Sequence, residues 1–236
     1  MPKKKKSNTK KQIQELLITV GIAIFSIVFW NTFLIYPIKL FVIILHEMSH
    51  ALAAFLTGGS IEYITISKEL GGATYTTGGN EFIIAFSGYL GSLAFGSVLF
   101  FASYNKKACI WICTIISFLL ILFITNFERG NITILASAVY AILLYLSPRY
   151  FNSTIHTYLI RSLGLISSMY VLVDIKDDLI TFTDRVTDTQ ILEKLTNIPA
   201  ILWGILWFTV SAATLFLIFK HSFVKGAAKT KNTKKS

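Results

Sequence analysis

Long apolar runs separated by short polar breaks dominate this chain. They fall at 16–36, 40–57, 82–104, 108–125, 131–147, 155–175 and 200–219, the fifth being the shortest. A helix crosses a bilayer with about 20 largely apolar residues. The pattern therefore predicts an all-α polytopic membrane protein, a bundle of about six or seven transmembrane helices. The breaks carry their own information. Tyr36-Pro37-Ile38-Lys39 is so short a link that the first two spans are expected to form an antiparallel hairpin. Thr57-Gly58-Gly59-Ser60 ends the second span. Beyond it the period changes from helical to two: Ile61 to Ser67 alternates, and a β-prone run from Ala73 to Thr77 lies between Gly71-Gly72 and Gly78-Gly79. This predicts a small β-hairpin over 61–77. The third span carries Ser87, Gly88, Gly91, Ser92 and Gly96, small residues that let helices approach closely in lipid. From 176 to 199 the chain turns polar before Pro199 opens the last span.

Composition agrees with the pattern. Of 236 residues, 54% are hydrophobic and 14% charged, against about 25% charged in soluble domains. A water-soluble helical protein is excluded for want of polar surface. The net charge of +10 gathers at the ends. Residues 1–11 and 220–236 read as basic tails around a membrane domain at 12–219, and the first is expected to lack structure. Basic residues beside spans are retained in the cytoplasm and attract anionic lipid headgroups. Without a nucleic-acid-binding fold they do not point to DNA or RNA. Two cytoplasmic tails require an even number of crossings, and seven runs are present. The first run is too long for the core of a cleavable leader, so it reads as an anchor. These features fit a bacterial plasma membrane. Cys109 and Cys113, one helical turn apart in an apolar run, read as buried structural thiols.

The second run holds His46-Glu47-Met48-Ser49-His50. Histidines four residues apart on a helix share a face and can reach one metal ion. Glu47 lies about 100° around, where it can take a proton from water without ligating the metal. Zinc makes water acidic enough for this near neutral pH. Ionisable residues at membrane depth are costly, about 2.5–3.5 kcal/mol each for charged groups, unless a partner compensates them. A catalytic zinc takes three protein ligands, so one is missing. Asp174, still within the sixth run, has the matching depth if runs two and six point the same way. Asp177 and Asp178 share its helical face and remain alternatives. His156 lies at the far edge of that run, about 27 Å away along a helix, and reads as interfacial.

His46-Glu47-Met48-Ser49-His50-Ala51 with Gly58-Gly59, Gly88-Tyr89-Leu90-Gly91, the Tyr170 to Ile180 segment with its aspartates, and Trp203-Gly204 together resemble the site-2-protease clan of intramembrane zinc metalloproteases, in its peptidase M50B-like branch. The likeness runs from about 40 to 208. It implies Zn2+ held by His46, His50 and a membrane aspartate, with Glu47 as catalytic base. It also implies a membrane-protein substrate handled near Gly88, Tyr89 and Gly91. Here Val173-Asp174-Ile175-Lys176 lacks the Pro and Gly that surround the third ligand in better-known members. Two other readings use the same residues: a metal or ion transporter, and a catalytically silent scaffold. A transporter has no need of Glu47 as a base, and the two related halves common in transporters are not found.

Overall fold

The computed structural model describes the backbone of residues 3–180 and 186–232, and the side chains of 9–175 and 186–225. In chain order it contains α1 (Lys3–Val28), α2 (Tyr36–Leu56), β1 (Ser60–Ile66), β2 (Gly72–Thr77), α3 (Glu81–Ala102) and α4 (Lys106–Asn126). Then follow β3 (Glu128–Arg129), α5 (Asn131–Tyr150), α6 (Ser153–Ile180), α7 (Asp188–Thr196) and α8 (Ala200–Asn232). All of these helices except α7 hold a stretch long and apolar enough to cross a membrane, seven in all among the described residues. The all-α membrane bundle with its small hairpin is the observed architecture. α1 reaches back to Lys3, into the tail expected to lack structure.

Side-chain contacts give each helix its direction. Asn80 and Ile84 at the start of α3 bond Thr57 and His50 near the end of α2, so these two are antiparallel. α3 also runs against α6, with Ser97 beside Ser168 and Ser103 beside Arg161. Their contact is close because it is made by small residues: a Cβ on Gly164 would stand 2.6 Å from the Gly96 carbonyl. It follows that α2 and α6 point the same way. α8 runs with α3, Phe86 meeting Trp203 and Phe101 meeting His221. α4 and α5 form an antiparallel pair through Ser117 to Ala141 and Thr114 to Arg149.

The first helix departs from expectation. Glu15 pairs with Arg161 and Trp30 packs on Tyr170, so α1 runs parallel to α6 and therefore parallel to α2. The antiparallel hairpin of the first two spans does not form. Pro37 lies in the first turn of α2, where its missing N–H leaves no bond unmade, and the break falls at 29–35 instead. There the chain doubles back, so that Ile35 and Ile38 sit beside Ile22 and Phe25, sharing an apolar cavity with Ile166. α1 and α2 thus make one net traverse between them. The first part of α1 and the last part of α8 come to one end of the bundle, where Thr19 meets Ser222. The even count that two basic tails demand is met without losing an apolar run.

At the opposite end lies the sheet, ordered β2-β1-β3. The β1–β2 hairpin is antiparallel, with Tyr63 opposite Tyr75 and Ile66 opposite Gly72. β3 adds in parallel on the other side, a strand too short for any periodicity to announce. The core is centred on α2: Phe41, Val42, Leu45, Met48 and Ala51 are fully buried.

Candidate metal centre

His46 and His50 project from one face of α2, their rings 4.7 Å apart, as the spacing requires. His50 donates from Nδ1 to the Ile84 carbonyl at 2.7 Å. This fixes the tautomer and leaves the Nε2 lone pair facing the cleft. The His46 ring packs edge-on against Tyr89 at 5.2 Å. Gly88 makes room for the pair, since a Cβ there would stand 2.5 Å from the Nε2 of His46 and of His50.

The third group is Asp188, the first residue of α7. Its Oδ2 lies 3.2 Å from His46 Nε2 and 3.3 Å from His50 Nε2. His46, His50 and Asp188 offer ligand atoms all within 4.8 Å of one another, and no other such trio occurs among the described residues. Burial opposes ionisation of Asp188; with the two imidazoles protonated, His50 and His46 outweigh it and hold the carboxyl well below the usual range. The helix start also favours an anion there.

Asp174 lines the same cleft but does not join the two histidines. Its depth in α6 places it in the cleft that holds the two histidines. What depth alone does not show is that α7 lies against the site and presents the Asp188 carboxylate to both imidazoles. The side chains of Asp177 and Asp178 lie outside the described residues. A local signal for Asp188 does exist: Thr187 and Gln190 form a capping box, the mark of a helix start. His156 is buried at the far end of the bundle, between Cys109 and Ser147. Cys109 and Cys113 are both free and buried.

Glu47 lines the cleft beside the trio and is only 5% exposed. Thr74 of β2 donates its hydroxyl to Glu47 Oε2 at 2.7 Å, a partner the sequence reading did not include. Gly72 packs directly on the same carboxylate. Tyr89 lines the cleft, Gly88 lies behind the histidines, and Gly91 packs on Ser49 between helices. The cleft itself holds about 500 Å³ and runs between β2, α2, α3 and α7.

The model of the Peptidase M50B-like family matches residues 19–218, most of the chain and every element of this site. The chain belongs to that family. No curated protein and no solved structure matches it. M50 proteins are zinc metallopeptidases, and this M50B-like site offers the donor set that zinc accepts, two imidazole nitrogens and one carboxylate oxygen. His46 and His50 need no rearrangement to face a shared ion, and Asp188 Oδ2 is buried without a hydrogen-bond donor of its own. The residues fit the metal.

Proposed function

We propose that this protein is an intramembrane zinc metalloprotease, with His46, His50 and Asp188 holding the metal and Glu47 as general base. The observation that carries the reading is the convergence of two imidazoles and a carboxylate beside a buried, threonine-held glutamate. Zinc, when bound, supplies Lewis-acid polarisation at neutral pH. Glu47 takes a proton from the attacking water and passes it to the leaving amine. Thr74, bonded to one oxygen of that carboxylate, restricts its rotation, and the other oxygen packs against Gly72.

The hairpin supports the handling of a membrane substrate. Transmembrane helices hide their peptide bonds within intact hydrogen bonding, so a segment must be extended before it is cut. β2 is the outer strand of its sheet, and Ala73 to Thr76 line the cleft. An extended substrate segment can pair along that edge and pass Glu47.

The decisive test is zinc content and cleavage measured together on purified protein. Glu47→Gln is expected to keep about one zinc per chain, as one three-ligand site allows, and to lose cleavage of a membrane-peptide substrate. His46→Ala is expected to lose both. Proteolysis surviving in Glu47→Gln would refute the mechanism.

A further inference from the structure

The two ends of the bundle differ sharply in charge, and the metal centre lies at only one of them. The tail end collects Lys10 and Lys11 of α1, Lys106 and Lys107 at the α3–α4 turn, and Arg149 at the end of α5. Lys220 and Lys225 of α8 lie there too, and the sequence continues into further lysines on both tails. Its single acidic residue among the described ones, Glu15, is neutralised by Arg161. The site end is opposite in character. Lys68, Arg129 and Lys194 there are interleaved with Glu62, Glu69, Glu81 and Glu193, besides the carboxylates of the cleft, and the sequence before α7 adds Lys176 and Arg185 among Asp177, Asp178 and Asp184.

Lysine and arginine in short connections and next to span ends are held on the cytoplasmic side during insertion, whereas acidic residues exert little pull. The comparison must therefore be made on the basic residues alone, and they favour the tail end. The parallel course of α1 and α2 removes the one obstacle, because both tails then lie on the same side. This assignment does not depend on the N-terminal tail. The α3–α4 turn and α8 point the same way.

We propose that the metal cleft opens on the non-cytoplasmic face of the membrane and takes peptide bonds at the non-cytoplasmic ends of membrane segments. The sidedness stands on charge and helix direction; the substrate half rests on the metalloprotease reading above. The hairpin, β3 and α7 then form the outer rim of the cleft. A segment reaching it frays from its outer end, where water can replace the helical hydrogen bonds that lipid cannot. Lys10, Lys11, Lys220 and Lys225 then face the inner leaflet, whose anionic headgroups attract them.

Sidedness is read by cysteine labelling in intact cells with a membrane-impermeant maleimide. Glu193 on α7 and Lys107 on α4 are both exposed, and the buried native cysteines make the unaltered protein the blank. Glu193→Cys is expected to label from outside, and Lys107→Cys only after permeabilisation. Cleavage is read on two reporter membrane segments, one carrying helix-loosening residues at its outer end and the other at its inner end; the first is expected to be cut. Labelling of Lys107→Cys from outside, labelling of both positions from one side, or cleavage of the second reporter alone overturns the proposal. The labelling is repeated in Glu47→Gln, where it needs no activity. Absence of all cleavage with the labelling pattern intact would defeat the protease reading and leave the sidedness standing.

Discussion

The Thr74 hydroxyl lies 2.7 Å from the Glu47 carboxylate and 3.0 Å from the Glu47 main-chain carbonyl, its one proton shared between the two acceptors. A hydroxyl on a strand thereby ties the hairpin to the turn of α2 that carries His46 and His50. Replacing it with valine keeps the shape and removes the donor. Partners of this kind cost about 10–100-fold when lost. Thr74→Val is expected to lower turnover by about that factor with zinc content unchanged, and Thr74→Ser to restore most of it. Metal analysis beside steady-state kinetics distinguishes this from a loss of the site.

Asp188 and Asp174 make opposite predictions. Asp188→Ala removes the carboxylate that lies 3.2 Å from His46, and the purified protein should lose its zinc. Asp174→Ala should retain zinc at the level of the unaltered protein, because that residue lies apart from the trio. Elemental analysis of the two variants is sufficient. Zinc lost only from Asp174→Ala would return the ligand to α6.

Gly88 tests the packing behind the histidines. An alanine methyl there would stand 2.5 Å from His46 Nε2 and His50 Nε2. Alanine favours a helix over glycine by about 0.5–1 kcal/mol, so Gly88→Ala should keep its helix content. Its zinc affinity should fall even so, as measured by competition with a chelator.

Glu128 gives the fold a pH dependence away from the site. Burial pushes its carboxyl up to about 7, against a smaller opposing effect of the Ser137 hydrogen bond. A raised folded pKa means that the fold prefers the protonated group. The associated stability is complete below the unfolded value near 4.5 and is lost as pH rises through about 7. The melting temperature in detergent should therefore fall between pH 5 and pH 8 in the unaltered protein, about the range the two values bracket. Glu128→Gln should flatten that slope.

Arg161 is 1% exposed and carries its charge between α1, α3 and α6, with Glu15 as its ionic partner. Its guanidinium also lies 4.1 Å over the Tyr104 ring. Removing one member of a buried pair costs about 3–5 kcal/mol, since the other charge is left unpaired. Glu15→Ala should lower the melting temperature markedly. Glu15→Leu combined with Arg161→Met should recover much of the loss.

The apolar runs, the switch to period two after Gly59 and the His46/Glu47/His50 pattern were all legible in one dimension. Each is a local property: span length is set by bilayer thickness, and ligand spacing by the helical repeat. They determined the class of fold and the turn of helix that carries two of the three candidate metal ligands. The direction of α1, the pairing of β3 and the identity of Asp188 were decided only by the tertiary structure. The reason is the same in all three. Asp188 lies fourteen positions after Asp174 in the chain, and no periodicity links them. Which carboxylate reaches the histidines depends on how a short polar helix packs across two spans that are distant in sequence.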